Sequence, residues 1–157
     1  MAQTYALKYL TKAALGAPRD LVNSYIATIR PIHPTVLIFN CTWVCDARCE
    51  MCSNWKRGDR KTDMTLEQID KAMQSPLWKN VEMCMLSGGE PTIHPQILEI
   101  IAAAKRRPIR HIMLNTNGIR IAQDPDFVKW LAAFKPGFEV YLQFDSLNPD
   151  AIRNLRG

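Results

Sequence analysis

Val36-Leu37-Ile38-Phe39, running on through Asn40 into Cys41-Thr42-Trp43-Val44-Cys45-Asp46-Ala47-Arg48-Cys49-Glu50-Met51-Cys52, is the stretch that decides the fold. Four apolar residues in a row suit a strand buried on both faces of a parallel sheet, and a polar loop follows at once. The same order returns downstream. Val81 to Leu86 reads as a second strand running into Ser87-Gly88-Gly89-Glu90-Pro91. Ile112 to Leu114 is a third, closed by Asn115-Thr116-Asn117-Gly118, and Val140 to Phe144 a fourth, ending at Asp145-Ser146.

Helix signals separate these strands. Thr65 with Gln68 three residues on predicts a capping box, and Leu66, Ile69 and Ala72 form its inward stripe. Pro95 opens a helix with Ile97, Ile100, Ile101 and Ala104 inward. Asp124-Pro125 opens another with Phe127, Trp130, Leu131 and Phe134 on one face, which Gly137 stops. Asn148-Pro149 caps a last helix carrying Ile152 and Leu155. Strands alternating with helices predict parallel βαβ units with right-handed crossovers, an α/β fold. A closed eightfold barrel takes about 250 residues. The chain has 157, so the expectation is a partial (β/α) TIM-type barrel, truncated after about four βα units.

Residues 1–33 stand apart. Ala6, Leu7, Leu10, Ala13 and Ala14 recur at helical spacing, Gly16-Ala17-Pro18 interrupts, and Leu21, Tyr25, Ile26 and Ile29 resume. This predicts a helical leader over 1–33 before a core over 34–157. Its basic amphipathic character leaves weak contact with a membrane surface open, while packing against the following domain is the simpler expectation.

Composition sets the outer bounds. With 47% hydrophobic and 22% charged residues the chain is globular in type. Twenty Lys and Arg against fifteen Asp and Glu give a formal charge of +5, which permits anionic partners. The runs Lys56-Arg57-Gly58-Asp59-Arg60-Lys61 and Lys105-Arg106-Arg107 are short and poor in interleaved aromatics. They do not make a nucleic-acid groove and are expected as solvated surface. No apolar run of about 18 residues and no secretory leader pattern occurs, so a cytoplasmic location is expected. There the five cysteines, Cys41, Cys45, Cys49, Cys52 and Cys84, stay reduced unless metal claims them.

Parallel α/β sheets collect ligands at the carboxyl ends of their strands, where the cysteine loop lies. Three thiolates within eight residues can converge on one centre. As soft ligands they suit an iron–sulfur cluster, zinc or copper(I), and the spacing alone does not choose. Adding Cys41 gives four thiolates, the number of a structural zinc site, and hence a zinc-stabilised four-cysteine binding module without catalysis. Cys41 also suits packing at the strand end, and Cys84, inside a strand, reads as a small buried hydrophobe. His33, His94 and His111 show no ligand spacing. Gly88 and Gly89, lacking Cβ, permit close approach of backbone to a ligand, and Glu90 is an acceptor for a cation.

With both motifs in place, the sequence from about Pro34 to Gly157 resembles the radical S-adenosylmethionine (SAM) superfamily. Its CxxxCxxC loop follows the first barrel strand and its GGE motif follows the second; this chain has Cys45, Cys49 and Cys52, then Gly88-Gly89-Glu90. The resemblance implies a [4Fe–4S] cluster on the three cysteines, with one iron left for the amine and carboxylate of SAM. It implies reductive cleavage of SAM to a 5′-deoxyadenosyl radical, which takes hydrogen from a substrate that the sequence does not name. Gly88, Gly89 and Glu90 would position SAM, Glu90 receiving its amine. Asn115 and Asn117, with Thr116 between them, and Ser146 beside Asp145, stand where relatives hold SAM. Met51 replaces an aromatic residue that many relatives place near the adenine.

Implied partners are SAM, the substrate and an electron donor such as flavodoxin or ferredoxin, for which the basic run from Lys56 to Lys61 beside the loop is suited. Trp43 and Trp55 bracket the loop and suit shielding it from water. A half-barrel that binds the cluster without turnover is a further expectation.

Overall fold

The computed structural model describes residues 34–157, so the leader read over 1–33 lies outside the described residues. Strands β1 (Val36–Thr42), β2 (Met83–Gly88), β3 (His111–Thr116) and β4 (Phe138–Leu142) form one parallel sheet in the order β1-β2-β3-β4. Between or after them come helices α1 (Leu66–Met73), α2 (Ile97–Lys105), α3 (Ile119–Gln123), α4 (Pro125–Ala132) and α5 (Pro149–Arg156). Consecutive strands are neighbours, the arrangement of a partial (β/α) TIM-type barrel.

Local chemistry explains the helix starts. Thr65 Oγ1 accepts from Gln68 N at 3.2 Å while Gln68 Oε1 accepts from Thr65 N at 2.9 Å, closing the capping box of α1. Asp124 Oδ1 accepts from Phe127 N at 3.0 Å with Pro125 opening α4, and Asn148 Oδ1 accepts from Asp150 N at 2.9 Å to cap α5.

Four expectations need correction. Gly137 does not stop α4, which ends at Ala132. It sits at φ 78° just before β4, where a Cβ would crowd the Arg110 carbonyl oxygen. Trp130 is 51% exposed rather than on the buried stripe of α4, and Met73 joins Ile69 as a buried residue of α1. β4 starts two residues earlier than its apolar run because Phe138 pairs with Ile112. α2 opens at Ile97, two residues after Pro95. The Lys105–Arg107 run lies at the surface as expected and is anchored there. Arg106 and Arg107 bond Asp70 of α1 at 2.9 and 3.3 Å, and Lys105 Nζ donates to the Pro136 carbonyl at 2.6 Å. The hydrogen bond from Arg106 holds the Asp70 carboxyl below its usual range.

The core lies on one face of the sheet. Cys84 and Leu86 of β2 and Ile112 and Leu114 of β3 are fully buried, as are Ile97, Ile100 and Ile101 of α2 and Phe127 of α4. Each large apolar side chain so removed from water contributes about 1.5–3 kcal/mol. On the other face Ile38 pairs with Met85 and Met85 with Met113. Along that row Ile38 is 65% exposed, while Met85 and Met113 are half-buried. No described helix is long and apolar enough to cross a membrane.

Candidate functional site

The site begins with an irregularity in β1. Asn40 pairs with Ser87 and Thr42 with Gly88, so Cys41 is an extra residue without a cross-strand partner. The bulge breaks the in–out alternation, and Cys41 and Thr42 are both buried in succession, each 2% exposed. Cys41 joins the hydrophobic core, where burial pushes its thiol up to about 12. Thr42 faces polar company instead. Its hydroxyl donates to Asp63 Oδ2 at 2.6 Å and accepts from Val44 N at 3.1 Å, and Asp63 Oδ1 accepts from Trp43 N at 3.3 Å.

Cys45, Cys49 and Cys52 follow on the loop, each half-buried and unpaired by disulfide. Arg48 Nη1 donates to the Cys45 carbonyl at 2.9 Å, and Trp55 Nε1 donates to the Cys49 carbonyl at 3.1 Å. Asn54 N donates to Cys52 Sγ at 3.4 Å. The cations of Arg48 and Lys56 lie 5.5 and 5.4 Å from the Trp55 ring centre. Burial raises the Cys45 thiol, with the Ala47 amide opposing it. Among the described residues no three His, Cys, Asp or Glu side chains close on the point a single ion would take. Thiolates on one tetrahedral zinc stand about 3.8 Å apart. A cubane, whose cysteines bind separate irons, asks for a wider set, and three soft donors on one loop suit it.

The GGE turn is joined directly to this loop. Gly89 N donates to the Thr42 carbonyl at 2.7 Å and Glu90 N to the Val44 carbonyl at 2.8 Å. A Cβ on Gly88, whose φ is 132°, would overlap the Thr42 carbonyl oxygen, and one on Gly89 would overlap that of Val44. What comes close to these glycines within the polypeptide is thus the backbone that opens the cysteine loop.

Glu90 also differs from the expectation of an open acceptor. Only 1% exposed, its Oε1 accepts from Thr92 N, Thr92 Oγ1 and Thr116 Oγ1 at 3.0, 2.6 and 2.7 Å, and its Oε2 from Asn117 N at 2.8 Å. The side chain therefore binds the end of β2 to the end of β3. Oε1 takes three of these donors and Oε2 one, so the protein itself holds the carboxylate inward.

Asn115 and Asn117 fall on either side of that bracket. Asn115 Nδ2 donates to Ser87 Oγ at 3.3 Å and its Oδ1 accepts from Gln143 Nε2 at 2.7 Å, a polar row across the ends of β2 and β3 and the residue after β4. Asn117 Nδ2 donates to Asp46 Oδ1 in the cysteine loop at 2.7 Å. Thr116 is buried on Glu90. Ser146 Oγ accepts from Asn148 N at 3.0 Å, a local turn before α5, and Asp145 Oδ2 bonds Arg156 Nε at 2.6 Å. Sequence reasoning missed Asp63, Asp46, Ser87 and Gln143. Ser87, Asn115 and Gln143 each sit at a strand's carboxyl end, a signal available from strand registration alone. Asp63, twenty-one residues from Thr42, carried none.

Fold and site together define an α/β barrel segment with a triple-cysteine loop, and comparison with known proteins gives the class. The model of the Radical SAM superfamily matches residues 39–157, and the chain belongs to that superfamily. The cofactor pair of that superfamily is a [4Fe–4S] cluster and SAM. A probable GTP 3′,8-cyclase of Thermococcus kodakarensis is 31% identical over 132 residues, covering 82% of this chain and 40% of the relative. A 7,8-dihydro-6-hydroxymethylpterin dimethyltransferase of Methanocaldococcus jannaschii is 26% identical over 156 residues, covering 94% and 29%. Streptococcus suis SuiB bound to S-adenosylmethionine superposes with a TM-score of 0.68 at 23% identity, over 79% of this chain and 28% of that one. The chain thus spans well under half the length of these relatives.

Proposed function

We propose that the chain is the cofactor-binding part of a radical SAM enzyme, with Cys45, Cys49 and Cys52 holding the [4Fe–4S] cluster. Gly88, Gly89 and Glu90, with Asn115, Asn117 and Ser146, frame SAM beside it. The observation that carries this reading is the pair of bonds from Gly89 and Glu90 to Thr42 and Val44, which makes the metal loop and the GGE turn one unit. When bound, the cofactor pair supplies a 5′-deoxyadenosyl radical that abstracts hydrogen from substrate. The polypeptide supplies placement. Glu90 fixes the ends of β2 and β3 relative to each other, and Asn117 ties them to Asp46. Glu90 acts in this frame through the backbone it positions. Trp55, half-buried on the Cys49 carbonyl, limits water on one side of the loop.

A four-cysteine zinc module is disfavoured by the place of Cys41, buried in the core away from solvent. One preparation distinguishes the readings. Anaerobically reconstituted protein should hold about four irons and four sulfides per chain. Cys41→Ala should keep them and Cys49→Ala should lose them; a colourless protein with one zinc that disappears in Cys41→Ala would reverse the assignment. Incubation with SAM and dithionite should then yield 5′-deoxyadenosine from the wild-type chain and none from Cys49→Ala. A loaded cluster without that product would identify a chain that binds but does not turn over.

The one-electron donor, a protein of the flavodoxin or ferredoxin kind, docks in this reading on the basic run from Lys56 to Lys61, where Lys56 lies over the Trp55 ring beside the loop. Free cysteines throughout the described chain suit a reducing compartment such as the cytoplasm.

A further inference from the structure

Arg48 and Glu50 lie between the first and last cysteines of the loop, yet their backbone amides bond outside it. Arg48 N donates to the Arg156 carbonyl and Glu50 N to the Leu155 carbonyl, both at 2.9 Å. A helix leaves its last carbonyls without partners of its own, and in α5 the cysteine loop takes two of them. The side chain of Arg156 is fixed as well, its Nε 2.6 Å from Asp145 Oδ2, with 18% and 35% of the two side chains exposed. Gly157, at φ 86°, packs so near that a Cβ there would stand 2.9 Å from Arg48 Cβ.

We infer that the last turn of α5 is a clasp on the cysteine loop, and that Asp145 and Arg156 are positioning residues that lock it. The clasp holds the loop in its ligand-bearing shape and directs the Arg48 and Glu50 amides to carbonyls rather than to cluster sulfur. It has an electrostatic effect too. Amide hydrogen bonds to sulfur favour the reduced state of an iron–sulfur centre, whereas the carbonyl end of a helix carries partial negative charge and disfavours an added electron. A closed clasp therefore keeps the reduction potential low, and opening it raises the potential.

The inference rests on the cluster assignment made above, and the test separates the two. Wild-type chain, Asp145→Asn, Arg156→Gln and Arg156→Lys are reconstituted anaerobically. Iron release to a chelator and the midpoint potential are followed by absorbance and EPR. Both disrupting variants should lose iron about tenfold faster than wild type. Both should also titrate at a higher potential, and Arg156→Lys, which keeps the charge, should lie close to wild type. Wild-type protein that takes up no iron would sink the cluster assignment. Wild type that loads normally, with both disrupting variants matching it in release rate and potential, would overturn the clasp alone. A change in SAM affinity for Asp145→Asn that Arg156→Gln does not share would assign Asp145 to SAM and overturn it equally. Should Arg156→Gln fail to fold by circular dichroism, Asp145→Asn and Arg156→Lys decide.

Discussion

A carboxylate sealed from water must find its hydrogen bonds within the protein, and Glu90 finds four, from Thr92, Thr116 and Asn117. Glu90→Gln keeps the shape but turns an amide NH2 toward at least one donor, leaving a buried group unsatisfied. The expected loss is about 1–3 kcal/mol. Thermal unfolding should show a midpoint lower by about 2–4 °C for each of those kcal/mol; an unchanged midpoint would mean that the bracket contributes no stability. Glu90 was legible as a member of a site, through its neighbours Gly88 and Gly89. Its orientation was not, because two of its four donors, Thr116 and Asn117, lie at the end of β3, twenty-six and twenty-seven residues away. Cys41 repeats the lesson. Its nearness to Cys45 in sequence offered a fourth ligand, and a bulge in the pairing with β2 places it in the core instead.

At the scale of elements, the glycines of the GGE turn are required by the loop that lies on them. Gly89→Ala drives a methyl group into the Val44 carbonyl. Overpacking of this kind destabilises by about 1–3 kcal/mol. Hydrogen exchange should show the amides at positions 89 and 90 losing protection while those of β3 keep theirs. Equal protection in both proteins would mean that the loop gives way without cost. Three helix starts were legible in the sequence because capping is local; Thr65, Asp124 and Asn148 cap where their side chains predicted, whereas α2 and α3 begin without a side-chain cap. Strand ends were less so. The bounds of β4 follow from its pairing with β3, and the anchoring of Thr42 on Asp63 from the return of the chain before α1.

For the molecule as a whole, His94 gives stability a dependence on pH. Burial lowers its pKa from the ordinary 6.5, Arg60 adds to the lowering, and Asp63 and Glu99 oppose it. The neutral ring accepts from Gln96 N at 3.1 Å. The unfolded chain thus takes up a proton near pH 6.5 while the folded chain resists to a lower pH. The stabilisation is complete above the unfolded value and is lost as pH falls through the folded one. Urea midpoints should fall between about pH 7.5 and about pH 5.5, and His94→Asn should show a shallower slope. Parallel slopes would assign the dependence elsewhere. The sheet order was legible from the alternation of elements. The exposure of Ile38 on the face away from the core was not, since an apolar run looks the same whether one side of the strand is covered or both.

Thr42 pairs with Gly88 and Val44 bonds Glu90, so the pairing of β1 with β2 sets where the cysteine loop begins. A slip of β1 on β2 by one residue would therefore carry the start of the whole loop with it.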